Sequence, residues 1–339
     1  MKIAAAGGGT GGHLYPALSV LESLARMTEI EVTYLCLKRG LESKIIPQEY
    51  PEYKMVTVDF KGLHRPIFHP VNFTRLLKIF QNESIIASEV DGCEMGFVTG
   101  GYVSYPLGRV CIKKKIPIFV QEQNVIPGLS NRSLSLRAQK IFVAFEESVK
   151  YFPRSVRKKV VVTGNPIRVR DCTRGSFGED YILVLGGSRG SEFINALMEQ
   201  VYKTEKQMRF IHSTGDSNWT KRLSNYENVQ AFDYIYDMSC AWKGAKAVVS
   251  RAGAIAVSEM LYYGVPGLLI PWEGSAGNHQ LFNAMYVEKI KRGILAREKD
   301  LTPRLLIEKL AHTISLGKKT EEKVNPAELI AKIILEELR

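Results

Sequence analysis

The sequence has 339 residues, 45% hydrophobic and 24% charged, which excludes a disordered chain and predicts two domains of ordinary size. The net charge is +11, and residues 1–163 carry most of it, with 22 Lys and Arg against 14 Asp and Glu. No helix-turn-helix, zinc-finger or RNP-type motif occurs, so we expect no nucleic-acid partner. The basic first half instead favours a membrane surface or a pyrophosphate.

The sequence predicts neither export nor a membrane span. No run approaches the roughly 18 apolar residues that a spanning helix needs, and Gly7 ends the apolar start before a signal peptide could form. We therefore expect the chain to stay in the cytoplasm. The cysteines show no CxxC pair and no histidine at ligand spacing, so we expect them to be reduced, with neither disulfides nor zinc: Cys36, Cys93, Cys111, Cys172 and Cys240.

Residues 3–18 predict a short strand, a glycine-rich turn and the start of a helix. The turn fits G-x-G-x-x-G, and a phosphate or sugar hydroxyl could sit at the helix N-terminus. A nicotinamide site would need an acidic residue after the next strand, at 31–37, but Lys38 and Arg39 stand there. His13, at the mouth of the turn, could instead face a substrate.

Further strands are predicted at 54–60, 96–98 and 116–120, with a second glycine turn at 99–102 and the polar run 121–124. The pattern then restarts, with a strand at 181–185, a glycine turn at 186–190 and a helix from 192. Strands at 247–250 and 265–271 follow. This alternation predicts two α/β domains, each a doubly wound parallel sheet, with both glycine loops facing a cleft between them.

Turn residues at 164–166 and a basic segment at 317–320 predict the limits of the second domain. A final helix at about 326–339 could lie across either half.

Residues 63–80 combine apolar and basic side chains. Phe73, Leu76, Leu77 and Phe80 share one helical stripe, which a core-facing helix would explain. The apolar residues left over lie beside Lys and Arg, a pattern typical of an interfacial anchor on anionic lipid. The predicted membrane patch is Ile67, Phe68, Arg75, Lys78 and Ile79.

Seven motifs, in order along nearly the whole chain, resemble the bacterial MurG family: GGTGGHLYPAL at 8–18, GGYVS at 100–104, EQN at 122–124, GNPIR at 164–168, GGSRG at 186–190, SRAGAIAVSE at 250–259 and HQLFNA at 279–284. The resemblance implies the GT-B fold and inverting transfer of N-acetylglucosamine from UDP-GlcNAc to the MurNAc 4-hydroxyl of undecaprenyl-linked lipid I. The product would be lipid II, made for peptidoglycan at the cytoplasmic face of the cell membrane, with cell-wall synthesis proteins as possible partners.

The resemblance also implies a division of labour. Residues 1–163 would hold the acceptor and face the membrane, residues 164–324 would bind UDP-GlcNAc, and the helix at about 325–339 could pack back on the first domain. Three positions depart from the family pattern: Gln121 stands where His is frequent, Ala256 where Thr is common, and His279 where some members have Gln.

In the second half, the resemblance assigns the pyrophosphate to the backbone amides of a helix start, both ribose hydroxyls to Glu259 and uracil to the backbone at Ile235. Gln280, with His279 and Asn283, would read the sugar. Four residues of the first half would line the reaction centre and contact the donor there. The donor contacts are Thr10, Gly11, Gly12, Asn124, Arg168, Ser188, Ile235, Ala254, Ile255, Ala256, Glu259 and Gln280.

The acceptor would be held by Gly100, Gly101, Tyr102 and Asn124. His13 and Glu122 both qualify as the base that takes the acceptor proton; a neutral imidazole titrates near the working pH, whereas a Glu needs burial to do so. We favour His13, with Glu122 orienting the acceptor or His13; a helix-capping or acceptor-orienting role for His13 is the alternative. The sequence contains no Asp-x-Asp pair, so neither a metal nor a cofactor is expected, and helix amides and Arg168 would stabilise the departing UDP.

Other functions stay open. A glycosyltransferase acting on diacylglycerol would share the fold and much of the donor loop. A UDP-GlcNAc 2-epimerase shares the architecture but needs no lipid. A nucleotide-binding protein without catalysis would not need His13 and Glu122, and an NADP oxidoreductase rests only on Lys38 and Arg39.

Overall fold

The computed structural model describes residues 1–59, 62, 69–169, 172, 177–187, 190–319 and 324–339. The chain divides into two compact units. The first comprises Met1–Ile167 with Val324–Arg339, and the second comprises Arg168–Lys323.

The first unit is built on a seven-stranded parallel sheet in the order β3-β2-β1-β4-β5-β6-β7. Its elements before the second unit are β1 (Lys2–Ala6), α1 (Gly11–Met27), β2 (Glu31–Leu37), α2 (Glu42–Glu49), β3 (Lys54–Val58), α3 (Val71–Gln81), α4 (Glu83–Glu89), β4 (Met95–Val98), α5 (Ser104–Lys113), β5 (Ile118–Glu122), α6 (Leu129–Leu134), β6 (Lys140–Val143) and β7 (Val160–Val162).

The second unit repeats the arrangement with a six-stranded parallel sheet in the order β10-β9-β8-β11-β12-β13. Its elements are β8 (Tyr181–Leu185), α7 (Glu192–Thr204), β9 (Phe210–Ser213), α8 (Ser217–Leu223), β10 (Val229–Phe232), α9 (Met238–Gly244), β11 (Ala245–Ser250), α10 (Ala254–Tyr262), β12 (Gly267–Leu269), α11 (His279–Lys289), β13 (Gly293–Leu295) and α12 (Pro303–Ser315).

The final helix, α13 (Pro326–Glu337), belongs to the first unit. Asn325 caps its N-terminus by accepting a hydrogen bond from the Ala327 N–H, and Pro326 fits the first turn, where no backbone donor is needed. Its buried Ile330 and Ile334 join the core beneath α1 on one face of the sheet. Chain order alone left the place of this helix undecided.

The strands are buried because their side chains meet apolar layers on both faces. In β1, Ile3 and Ala5 pack into one core layer of the first unit, while Ala4 and Ala6 pack into the other. Helices cover both sides of such a parallel sheet, so its central strands are apolar throughout rather than alternating. The predicted doubly wound parallel sheets are thereby confirmed.

Each sheet has one point where the direction of winding reverses, between β1 and β4 in the first unit and between β8 and β11 in the second. Ligands of doubly wound sheets bind beyond the carboxyl ends of the strands at that point. The glycine loops that follow β1 and β8, and the turns that follow β4 and β11, therefore lie where a site is expected.

Two predicted boundaries and one covalent prediction were wrong. Strand β5 begins at Ile118 and includes Gln121 and Glu122, because these two residues pair with Phe142 and Val143 of β6. The helical pattern of residues 15–27 predicts a helix from Tyr15, but α1 begins at Gly11, since the Thr10 carbonyl already accepts hydrogen bonds from the N–H groups of His13 and Leu14. The third correction is a disulfide between Cys172 and Cys240, two cysteines that the sequence analysis expected to be reduced.

Candidate functional site

The two glycine turns of the first unit are packed against each other. A Cβ on Gly101, whose φ is +80°, would lie 2.4 Å from the Gly8 carbonyl oxygen, and a Cβ on Gly7 would lie 1.9 Å from the Thr99 hydroxyl. Only glycine allows this approach, because any larger residue would push the turns apart. The turns after β1 and β4 therefore form one compact floor at the reversal point of the sheet.

Glu42 supports this floor from below. The side chain is fully buried, and its oxygens accept hydrogen bonds from the Gly9 N–H (2.8 Å) and the Leu37 N–H (3.1 Å). The carboxylate thus occupies a backbone donor that a ligand phosphate would otherwise use. Glu42 is thus an acidic residue shortly after β2, where dinucleotide sites have a carboxylate that binds ribose. Its oxygens already accept hydrogen bonds from the backbone, so they do not bind ribose in this way. The sequence analysis missed Glu42 because it follows the strand by five positions.

His13 lies in the first turn of α1 and is half-buried against the second glycine turn. Its Nδ1 is 3.1 Å from the Thr99 carbonyl oxygen and 3.0 Å from Oε1 of Gln123. Both neighbours are acceptors, so Nδ1 carries the proton and Nε2 carries the lone pair. A Cβ on Gly100 would lie 3.1 Å from the imidazole, so a glycine at this position lets the ring approach.

Glu122, at the end of β5, is buried and accepts four hydrogen bonds. One oxygen accepts from the backbone and side-chain N–H groups of Asn124 (2.9 and 3.3 Å), and the other accepts from the Gly128 N–H and the Asn131 amide, both at 2.9 Å. Donors arranged in this way occupy the lone pairs of both carboxylate oxygens. Between the two candidate bases, this geometry favours His13.

The predicted acceptor residues lie around this floor. Tyr102 is exposed, and Asn124 is half-buried beside Glu122. The Gly100 N–H is already donated to the Ser104 hydroxyl, at 3.0 Å, and the Gly101 carbonyl accepts from Ser130. These two backbone groups therefore hold the shape of the turn. A ligand would contact the remaining backbone groups of Gly100 and Gly101. Thr10, Gly11 and Gly12 form the exposed to half-buried start of α1.

In the second unit, the glycine turn after β8 leads into α7. Ser188 lies outside the described residues. Gly190, with φ +69°, would place a Cβ 2.1 Å from the Thr214 carbonyl oxygen, so a side chain is excluded there. Ser191 caps α7 by accepting from the Ile194 N–H, and its hydroxyl also receives a hydrogen bond from Arg251 at 2.7 Å.

Arg251 links three parts of the second unit. Besides Ser191, its guanidinium contacts the Ile270 carbonyl oxygen (3.2 Å) and pairs with Glu298, and its backbone N–H donates to Leu185. It therefore connects the ends of β8, β11 and β12 and fixes the turn that carries α10. Sequence analysis included Arg251 in a motif but gave it no role.

Helix α10 presents the predicted phosphate-binding amides. Its first turn contains Ala254, Ile255 and Ala256. Its N-cap is Gly253, which makes no side-chain cap and whose carbonyl accepts from the Val257 N–H. Such an N-terminus combines backbone donors with the positive end of the helix dipole. It lies beyond the end of β11, at the reversal point of the sheet.

Glu259 follows in the second turn of α10. Its Oε2 accepts a hydrogen bond from Nε1 of the buried Trp242 at 3.1 Å. Burial raises the pKa of the Glu259 carboxyl from 4.5 to about 7, and the hydrogen bond from Trp242 lowers it. The motif that contains Glu259 gives no sign of this indole, because the two residues are 17 positions apart.

Ile235 is buried between two exposed tyrosines, Tyr234 and Tyr236, whose rings meet edge to face. The segment leads into α9, which Asp237 caps by accepting from the Cys240 N–H at 3.1 Å. Cys240, which forms the disulfide with Cys172, is the third residue after this cap.

Gln280 lies in the first turn of α11, where its Oε1 accepts from the Trp272 N–H at 2.9 Å. Its amide N–H₂ group is thus the part suited to sugar hydroxyls. Asn283 was expected to read the sugar as well, but it is fully buried and donates to the Ala252 carbonyl oxygen, so it supports the loop before α10 instead. Arg168 is half-buried at the first position of the second unit.

The predicted membrane patch needs correction. Ile67 and Phe68 lie outside the described residues. Ile79 is 5% exposed and belongs to the core, whereas Phe73 of the same helix is 71% exposed. Helical periodicity explains the reversal, since residues 72 and 79 are seven apart and share the buried face of α3.

The stripe that sequence analysis assigned to the core is thus exposed at its described positions. Phe73, Leu77 and Phe80 project from α3, with Lys78 exposed and Arg75 half-buried beside them. The Arg75 guanidinium donates to the Gly62 carbonyl, and Arg109 lies over the Phe80 ring. We call Phe73, Leu77, Phe80 and Lys78 the α3 surface. Within the described ranges, no helix is long and apolar enough to cross a bilayer.

One group of metal-ligand side chains is found in the described part of the chain: Cys172, Asp237 and Cys240. Its two sulfurs are bonded to each other, so they are not available as ligands while the disulfide is intact.

Comparison with known proteins decides the family. The glycosyltransferase family 28 N-terminal domain matches residues 3–143, and the family 28 C-terminal domain matches residues 181–336. A UDP-N-acetylglucosamine--N-acetylmuramyl-(pentapeptide) pyrophosphoryl-undecaprenol N-acetylglucosamine transferase of Pseudothermotoga lettingae is 60% identical over 339 residues, covering 100% of both chains. The chain belongs to the MurG family.

Two further comparisons agree. A relative with the same name from Thermotoga neapolitana is 45% identical over 344 residues, again covering 100% of both chains. The crystal structure of Acinetobacter baumannii MurG superposes with a TM-score of 0.77 at 23% identity and covers 99% of each chain. The MurG resemblance read from the seven motifs and the predicted GT-B type of fold are therefore confirmed.

Proposed function

We propose that this chain transfers N-acetylglucosamine from UDP-GlcNAc to the MurNAc 4-hydroxyl of lipid I, which gives lipid II for peptidoglycan. The observation that carries the proposal is 60% identity over the full length to a relative named for that transfer. Membership in glycosyltransferase family 28 through both domains supports a hexosyltransferase.

The second unit binds the donor in this proposal. The amides of Ala254, Ile255 and Ala256 would bind the pyrophosphate of UDP at the start of α10. Glu259, held by Trp242, would accept the ribose hydroxyls, because two hydroxyl donors match two carboxylate oxygens. Ile235 would present its backbone to uracil, and Gln280 its amide to the sugar. Arg168 and Ser188 remain predicted phosphate contacts.

The first unit binds the acceptor and supplies the base. His13 has its proton on Nδ1, so Nε2 is the atom that would take the proton of the MurNAc 4-hydroxyl. As that oxygen attacks the anomeric carbon, the bond to UDP breaks on the opposite side and the configuration inverts. Glu122 would not transfer the proton; it orders the segment that carries Asn124 and Gly128, beside Tyr102, Gly100 and Gly101.

Thr10, Gly11, Gly12 and Asn124 would contact the donor where it meets the acceptor. Helix amides and Arg168 would balance the charge of the leaving UDP, and we propose that no metal or cofactor takes part.

The chain would work as a peripheral protein at the cytoplasmic face of the membrane. The exposed Phe73, Leu77 and Phe80 with Lys78 support this, since apolar side chains beside cations suit the boundary of an anionic bilayer. In this proposal the α3 surface takes the place of the membrane patch predicted from the sequence. Interactions with other cell-wall synthesis proteins remain a prediction of the family resemblance.

The test is transfer of labelled N-acetylglucosamine from UDP-GlcNAc to a short-chain lipid I analogue in EDTA, with UDP release followed in parallel. Label in the lipid with an equal amount of UDP is the expected result. A parallel reaction offers diacylglycerol, and a third omits any acceptor and looks for UDP-N-acetylmannosamine. Transfer only to diacylglycerol, or epimerisation without transfer, would overturn the proposal in favour of the corresponding alternative.

Two variants locate the donor site in the same assay. Glu259→Ala should weaken UDP-GlcNAc binding about tenfold or more, because charged hydrogen bonds to the ribose are lost. Glu227→Ala removes an exposed carboxylate of the same unit and should leave binding unchanged. Unchanged donor affinity in the Glu259 variant would show that the ribose binds elsewhere.

A further inference from the structure

Gln123 lies directly after β5 and is buried beneath the imidazole of His13. Its Oε1 is 3.0 Å from Nδ1 of His13, and its Nε2 is 2.6 Å from the Thr99 carbonyl oxygen. The sequence analysis gave Gln123 no role of its own, although it stands at the centre of the EQN motif.

A chain of three buried amides fixes which end of Gln123 faces the histidine. The backbone carbonyl oxygen of Gln123 can only accept a hydrogen bond. The Asn165 side chain must therefore donate to it through Nδ2, at 3.0 Å. Asn165 Oδ1 then accepts from Nε2 of Gln121 at 2.8 Å, and Oε1 of Gln121 accepts from Nε2 of Gln123. Only Oε1 of Gln123 remains to face His13.

Reversing Gln123 would place its oxygen against two acceptors, the Thr99 carbonyl and Oε1 of Gln121. Two buried contacts between acceptor oxygens, with no donor between them, cost several times the free energy of one hydrogen bond. The backbone carbonyls of Thr99 and Gln123 therefore determine the polarity of the whole chain of amides. As a result, Gln123 presents its acceptor atom, Oε1, to Nδ1 of His13.

In the described part of the chain, the hydrogen-bond partners of the imidazole are uncharged. They are the Thr99 carbonyl after β4 and the Gln123 amide after β5. The nearby Glu122 carboxylate is turned toward Gly128 and Asn131. The imidazole is thus oriented by a neutral amide, where many catalytic histidines are oriented by a carboxylate.

We propose that Gln123 is the positioning residue for His13: it holds the proton on Nδ1, so that the lone pair of Nε2 faces the acceptor hydroxyl. This inference rests on the proposed role of His13 as base. A neutral partner orients the ring through a hydrogen bond and adds no charge beside it.

The first test observes the tautomer without relying on activity. In protein labelled with ¹⁵N-histidine, the His13 signals, assigned by their loss in His13→Ala, should show a protonated Nδ1 and an unprotonated Nε2. Gln123→Met keeps the length of the side chain but offers only a weak sulfur acceptor, which leaves the Thr99 carbonyl as the remaining strong acceptor at Nδ1. The signals should therefore show a larger share of the tautomer with the proton on Nε2 than in the wild-type protein. A proton on Nε2 in the wild-type protein would overturn the proposal.

The second test uses the pH profile of transfer to the lipid I analogue. Gln123→Glu keeps an acceptor at Nδ1 but adds a charge that stabilises the imidazolium, so the acid limb of kcat should move to higher pH by about one unit. Its second oxygen replaces the Nε2 donor to Thr99 and Gln121, so the stability of the variant is measured by urea denaturation alongside. Gln123→Met should lower kcat by about tenfold or more, while UDP-GlcNAc affinity stays constant. Gln139→Glu, an exposed position in the same unit, serves as the control.

The outcomes separate the two proposals. If wild-type protein transfers sugar and His13→Ala does not, but Gln123→Glu and Gln123→Met keep the wild-type pH profile and kcat, the role of Gln123 is refuted while the function stands. If His13→Ala transfers sugar normally, the base assignment fails first. The second test measures a shift of the acid limb of kcat in Gln123→Glu, which keeps an acceptor at Nδ1. Loss of folding would lower activity without producing this shift.

Discussion

The indole of Trp242 and the carboxylate of Glu259 form a hydrogen bond, with Nε1 3.1 Å from Oε2, between two helices of the second unit. Trp242 itself is fully buried and stacks on Tyr263. The bond holds Glu259 in one orientation at the edge of the core. It also favours the charged form of a carboxyl whose pKa burial raises to about 7.

This pair predicts a pH dependence of donor binding. Ribose hydroxyls donate to the ionised carboxylate, so UDP affinity should increase as the pH rises through about 7, and binding near that pH should release a proton. Trp242→Phe removes a donor, moves the titration upward and should weaken UDP binding at pH 7 about tenfold. Calorimetry in buffers of different ionisation enthalpy measures both effects; equal proton release in wild type and Glu259→Gln would contradict them.

The same carboxyl makes a second prediction, for stability. Since the pKa of Glu259 is higher in the folded protein than the ordinary 4.5, the folded state binds more protons between about pH 4.5 and 7. The free energy of unfolding contributed by this group should therefore fall across that window and stay low above it. Glu259→Gln should flatten that part of the profile in urea denaturation of the ligand-free protein, with Glu227→Gln as the control.

Removing the Glu42 carboxylate should loosen the glycine floor. Glu42→Ala leaves the Gly9 and Leu37 N–H groups without their acceptor, and we expect a loss of about 1–3 kcal/mol in the free energy of unfolding. The Gly9 donor would also become available, so inorganic pyrophosphate should inhibit the variant more strongly than the wild type. Glu52→Ala, at an exposed position, controls for charge. Wild-type stability of Glu42→Ala would contradict the structural role.

The α3 surface should bind anionic vesicles. Phe73→Ser with Phe80→Ser removes two exposed rings and should reduce co-sedimentation with phosphatidylglycerol vesicles by about tenfold or more, while transfer to a water-soluble acceptor stays unchanged. Val162→Ser, an exposed apolar position elsewhere on the first unit, is the control. Equal vesicle binding by both proteins would place the membrane contact elsewhere. Ile79→Ser should instead destabilise the fold, because Ile79 lies in the core.

The disulfide between Cys172 and Cys240 closes a loop of 68 positions. In the chain-entropy account such a link stabilises the folded state by about 2–4 kcal/mol. Unfolding without reductant should expose the three remaining thiols, those of Cys36, Cys93 and Cys111. Cys172→Ser should lower the free energy of unfolding, and Cys93→Ser is the control. Five reactive thiols in the unreduced, unfolded protein would show that the link does not form.

The sequence by itself determined the two parallel α/β domains, the positions of the glycine turns and the family. These follow from local signals: apolar runs that end in glycine, and motifs whose residues are close together in the chain. The motifs also predicted that His13 and Glu122 lie where strands of the first sheet end, because the carboxyl ends of parallel strands meet at the same edge of a sheet.

Only the tertiary structure decided what holds these residues. The acceptors at His13 come from Thr99 and Gln123, about 90 to 110 positions away, and the donor to Glu259 comes from a different helix. Glu42, the disulfide and the outward face of α3 depend likewise on packing between distant segments. Periodicity shows that a helix has two faces, but which face is buried depends on the elements that pack against it, and those contacts form only in the folded chain.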